Sequence, residues 1–162
     1  MEIVKVEVDD GRIGIEICGN VGTNGILSFN PTDFNLYGRF VKFCRELPDI
    51  EKRFFASSEP RLVTGHEKAE MEEISANLEV VNNLDAEIKE RLNDVFRGND
   101  FGELLSGVNL MAFGKIGNFV ITNLLDAIRP YIESGVQTHL DKAADKAKLK
   151  RERRRAIQGG RA

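Results

Sequence analysis

The chain has 162 residues, of which 41% are hydrophobic and 30% charged, with a net charge of −3. At about 100–200 residues per domain this is one domain, or a small domain with an appendage, and its apolar content excludes wholesale disorder. The longest apolar stretches, such as Val108–Phe113, fall far short of the roughly 20 residues that span a bilayer.

The start, MEIVKVEVDD, has neither a cationic n-region nor an apolar h-region, so it does not read as a secretory signal. Two cysteines, Cys18 and Cys44, are too few for a disulfide framework and suggest a reducing cytoplasm. The average charge conceals a gradient. From Lys146 to Ala162, eight cations stand against Glu152 alone, a segment charge of +7. Residues 1–145 therefore carry −10 of the total of −3, an acidic body with a basic end.

In chain order, Ile3–Cys18 reads as a β-hairpin. Val4, Val6 and Val8 alternate with charged residues, as do Ile13, Ile15 and Ile17, and Asp9-Asp10-Gly11-Arg12 suits a two-residue turn. The register sets Val8, Val6 and Val4 opposite Ile13, Ile15 and Ile17, with Lys5 facing Glu16. A lone hairpin is marginal in water, so its apolar face must pack on helices or join another sheet. Gly19–Ser28, with glycines at 19, 22 and 25, reads as a connecting loop. It has neither the P-loop ending nor the GxGxxG order of a phosphate or dinucleotide site.

A helix start follows, with Asn30 as N-cap, Pro31 at N1, Asp33 at N3, and Phe29 and Phe34 placed for a hydrophobic staple. Phe34, Tyr37, Phe40, Val41, Cys44 and Leu47 form its apolar stripe, and Pro48 is expected to end it. Asp49–Ala56 reads as a short second helix carrying Phe54 and Phe55, and Ser57–Gly65 as a polar break.

Glu67–Phe96 reads as a long helix whose seam runs Met71, Ile74, Leu78, Val81, Ile88, Leu92 and Val95, with Asp85 interrupting it beside Leu84. Thirty residues make about 45 Å, so the helix either bends within its own core or packs partly on another chain. Gly98–Asn118 is unusual, with five glycines among Phe101, Leu104, Leu105, Val108, Leu110, Met111 and Phe113. It is either a packed irregular segment or an apolar surface that a partner covers. A helix over 118–133, kinked at Pro130, precedes a last, highly charged helix from Val136 that frays by Gly159-Gly160.

Catalytic constellations do not assemble. His66 and His139 are the only histidines, the His66 context is not HExxH, and no CxxC exists. Both cysteines fall on apolar faces, Cys18 at the Val4 end of the hairpin and Cys44 on the Phe40 stripe, as small core residues do. Asp9-Asp10-Gly11 resembles a fragment of a calcium loop but lacks the later ligands. No catalytic, metal or cofactor-binding residue is therefore assigned. The basic end, led by Lys150, Arg151, Arg153, Arg154 and Arg155, suits a solvated helix terminus, an acidic protein partner or nucleic acid. It has no interleaved aromatics for base stacking, which disfavours the last.

Leu92–Phe96, Gly98–Gly102, Gly107–Asn109, Asn123–Ile132 and Arg151–Ala156 together resemble the tail-assembly chaperones of long-tailed phages and prophages of Gram-positive bacteria. The resemblance covers residues 90–156, and the hairpin start by architecture. It implies an α+β fold, an N-terminal hairpin packed on a mainly helical body (residues 1–135) with a charged C-terminal helix (136–162). It also implies a non-enzymatic, cofactor-free protein of the bacterial cytoplasm that self-associates and coats the apolar helices of the tape-measure protein. An extended frameshifted form occurs in some members. On this reading Phe101, Leu105, Val108, Leu110, Met111 and Phe113 provide the client contact, or else fill the protein's own core. The alternatives are a structural tail or connector subunit that extends a neighbour's sheet, a small phage-encoded inhibitor, or a nucleic-acid-binding module.

Overall fold

The computed structural model describes residues 1–58 and 67–160. The fold is α+β: a two-stranded antiparallel hairpin, β1 (Ile13–Gly19) and β2 (Gly22–Phe29), is followed among the described residues by four helices. These are α1 (Phe34–Ser58), α2 (Glu67–Val95), the single-turn α3 (Phe101–Leu104) and α4 (Val120–Gly159). The expected break lies, from Glu59 on, outside the described residues, as does His66.

The hairpin exists, but one strand later than its pattern predicts. Residues 1–12 form no strand and are exposed throughout, and Ile13 pairs with Phe29 and Ile15 with Leu27. The segment expected to be a loop is β2. Its glycines meet conformational demands: Gly25 has φ +154, which L side chains rarely adopt, and a Cβ there would lie 2.6 Å from Leu104 Cδ1, so that leucine would have to shift. The ladder shifts register between Ile17 and Cys18, where Asn24 is the extra residue of a bulge. Leu27 and Phe29 enter the core, with Ile15 and Ile17 packed against it. Cys18 is exposed beside Thr23, not on an apolar face.

Helix α1 starts three residues late and runs ten residues past its expected end. Asn30 Oδ1 accepts from the Thr32 amide and hydroxyl in a turn, and Asp33 Oδ1 accepts from the Asn35 amide as the cap. Phe29 is buried while Phe34 is exposed against His139, 4.1 Å between ring centroids, so the staple does not form. Pro48 removes one helical hydrogen bond, yet Leu47 and Ile50 are buried on either side of it and hold the helix together. The buried face is Leu36, Phe40, Phe43, Leu47 and Ile50, turned from the expected stripe so that Phe34 and Tyr37 lie outside.

Helix α2 matches its expected span, and among its described side chains the buried ones lie in the second half. Leu84, Ile88, Leu92 and Val95 are buried; Met71 and Leu78 are exposed, and the Ile74 side chain lies outside the described residues. An ion network ties this half to α1, Arg53–Glu87 at 2.9 Å, Arg91–Glu87 at 3.0 Å and Arg91–Glu46 at 2.9 Å. The two expected terminal helices are one: α4 passes through Pro130 and across residues 135 and 136 without interruption. Ile121, Leu125, Ile128, Ile132 and Gly135 are its buried residues. Gly135 sits on the chain at Pro31 so closely that a Cβ would collide with the Pro31 carbonyl. From Leu140 to Gly160 every residue is exposed.

Candidate protein-binding surface

The segment from Gly98 to Asn118 packs because α2 supplies its backbone partners. Asp85, the interruption in the α2 seam, accepts from the Leu110 amide at 2.8 Å and pairs with Lys89 at 3.0 Å. Lys89 donates in turn to the Val108 carbonyl at 2.8 Å. Asn93 accepts from the Phe101 amide, and Asn99 bonds both the amide and the carbonyl of Ser28, joining the segment to β2. Irregular backbone among apolar side chains needs such partners. Side chains on one face of a regular helix provide them.

This arrangement sorts the six client-contact residues. Phe101, Leu105, Leu110 and Met111 are buried in the core, and Val108 is half-buried against it. Only Phe113 remains at the surface, 58% exposed. It stacks on Phe119 at 4.7 Å, where an isolated β-bridge between these two residues holds the strap together. Phe54 lies edge-on to Phe119 at 5.1 Å and to Phe113 at 6.3 Å, and Phe55 lies 5.8 Å from Phe119.

Four aromatic rings thus meet where the C-terminal end of α1 reaches the strap before α4, and Phe55 is 53% exposed. The signal for Phe55 was adjacency. Two successive residues on a helix point about 100° apart, so with Phe54 turned inward Phe55 must face out. Close by, Ala56, Val80 and Leu84 line a shallow depression between α1 and α2, rimmed by Arg53 and Glu87. Further along α2, Leu78 and Met71 are exposed as well.

Reactive groups are dispersed. Among the described residues no three His, Cys, Asp or Glu side chains gather to hold a metal. Both Asp9 and Asp10 accept from their own turn, from the amides of Gly11 and Arg12. Burial pushes the Cys44 thiol above its ordinary value, against the opposing pull of Arg129. His139, beside Phe34, shares an open depression with Thr32, Lys142, Ala143, Asp145 and Lys146. Lys150, Arg151, Arg153, Arg154 and Arg155 are all exposed on the free length of α4. No described helix is long and apolar enough to cross a membrane.

Comparison with protein-family models, with curated proteins and with solved structures finds no match to this chain.

Proposed function

We propose that the protein is a non-enzymatic binding protein that acts as a tail-assembly chaperone. It would hold the apolar helices of a phage tape-measure protein in the bacterial cytoplasm until the tail tube forms around them. The observation that carries this reading is the half-exposed aromatic pair Phe55 and Phe113, seated on buried Phe119. Aromatic rings backed by a rigid core are the side chains from which protein-binding hot spots are built. An amphipathic client helix presents apolar side chains every three or four residues, which suits a ring cluster beside the depression lined by Ala56, Val80 and Leu84. The acidic character of residues 1–145 supports the same reading, because an acidic body keeps an aggregation-prone client dispersed.

Co-expression with a tape-measure fragment tests it. The wild-type chain keeps the client soluble, and the pair Phe55→Ser with Phe113→Ser loses it without loss of the chaperone's own fold. A client that stays insoluble with the wild-type chain removes the reading; a client rescued equally by the double variant moves it to another surface.

The exposed cations of α4 favour a second reading, contact with a polyanion such as nucleic acid. Each phosphate contact adds about 0.9 to the slope of log affinity against log salt. Replacing Lys150, Arg151, Arg153, Arg154 and Arg155 by alanine therefore flattens that slope if DNA is bound. An unchanged slope ends this reading.

A further inference from the structure

The first eight residues have the build of a strand and no described strand beside them. Val4, Val6 and Val8 are 78%, 76% and 77% exposed. Lys5 Nζ lies 2.9 Å from Glu7 Oε1, a contact between residues two apart that extended chain provides, since it sets them on one side. One side of this arm is therefore charged and the other is a row of valines.

The root of the arm is fixed. Asn30 Nδ2 donates to the Asp10 carbonyl at 2.9 Å, and the Arg12 guanidinium donates to the Ser28 hydroxyl and carbonyl at 3.0 and 2.8 Å. Asp10 and Arg12 thus stay beside the end of β2. Beyond this root the arm is exposed over its whole length and pairs with no described strand.

Meanwhile β1 is paired with β2 along one edge, and no described strand occupies the other. Ile13, at 38% exposure, and the partly buried Ile15 and Ile17 lie on the core-facing side next to that open edge. Such an edge is a ready template for another chain.

We infer that the arm of one copy adds as a third, antiparallel strand to the open edge of β1 in a second copy, and that the exchange is reciprocal. Complementarity selects this occupant. With Val8, Val6 and Val4 set opposite Ile13, Ile15 and Ile17, the two apolar rows meet on the core side. Lys5 then stands opposite Glu16 on the other side, and Ile3 opposite Cys18. A slip of one residue would set the valines among Gly14 and Glu16, so the register is determined. Each sheet grows from two strands to three, the number at which a sheet with one apolar face becomes stable. The self-association is independent of any client.

The register gives the test, because Cys18 is exposed. In the full chain carrying Ile3→Cys, mild oxidation yields a disulfide-linked dimer that reductant dissolves and the added change Cys18→Ser abolishes. Val4→Cys, facing the other side of the arm, yields little. Light scattering gives a dimer for the wild-type chain and a monomer for Val6→Pro, which removes a strand donor while the helical circular dichroism stays unchanged. In the Ile3→Cys chain, a bond from the introduced thiol to Cys18 of the same copy would mean the arm folds back on its own β1, and overturns the exchange. Equal cross-linking by Val4→Cys, no bond at all, a wild-type monomer, or a dimer that survives Val6→Pro overturns it too.

Discussion

Two segments of this chain differ in how far local pattern foretells their place in the fold. Ile3–Val8 has clean strand alternation followed by an Asp-Gly turn signal, and it stands exposed and unpaired among the described residues. Gly98–Asn118 has five glycines and no periodicity, reads as either a packed irregular segment or a partner-covered surface, and supplies four buried residues to the core. The difference is in polar supply. The second segment has Asp85, Lys89 and Asn93 of α2 to satisfy its backbone, and the described residues offer the first no such set. Local pattern states what a segment is able to form, and the available hydrogen-bond partners decide whether it does.

The contrast can be broken or sharpened by mutation. Phe101→Ala empties a fully buried site and should cost about 3–5 kcal/mol in a urea titration. A loss under about 1 kcal/mol would mean that the segment does not belong to the core. Asp85→Ala strands the Leu110 amide and leaves Lys89 without its carboxylate, for about 1–3 kcal/mol. Asp85→Asn should cost less, since its amide oxygen still accepts from Leu110. Equal losses for the two variants would assign the effect to the Lys89 ion pair.

Outside both segments, the hydrogen bond from Arg53 holds the Glu87 carboxyl below its ordinary value. A lowered folded-state value gives stability that is full above the unfolded value of 4.5 and is lost as pH falls through the folded one. Both side chains are partly solvated, so Glu87→Gln should cost less than about 1 kcal/mol at neutral pH and nothing in strong acid. A pH-independent loss would refute the ion-pair account. Smallest of all, Val6→Thr in a sample dilute enough to keep copies apart should leave unfolding within about 0.5 kcal/mol of wild type. A larger change would show the arm packed on its own chain.

The legible parts of the fold were those set by uninterrupted periodicity. The bounds of α2 followed from its seam, and the end of α4 from the glycine pair at 159 and 160. The misread parts share a cause, in that a local breaker was outweighed by packing. Pro48 lies inside a helix because Leu47 and Ile50 anchor both sides of it to one core. β2 read as a loop because Gly22 and Gly25 are there for φ values of +148 and +154 and for the approach of Leu104, which no local rule announces. Of the binding surface, Phe113 was legible and Phe55 was present but not singled out. The burial of Phe101, Leu105, Leu110 and Met111 depended on Asp85, which the sequence offered only as a flaw in a seam.

The free length of α4 has an electrostatic consequence. Its last partly buried residue is His139, and Lys150 to Arg155 follow 11 to 16 residues later, about 17–24 Å along the axis. In physiological salt the Debye length is about 8 Å, so the basic cluster lies two to three screening lengths from the packed part of the chain. The two then act as separate poles, and the net charge of −3 describes neither of them. At about 0.01 M salt the screening length grows to roughly 30 Å and the poles begin to sense each other. Ionic strength alone would then decide whether an approaching surface meets one dipolar molecule or a cation and an anion joined by a helical rod.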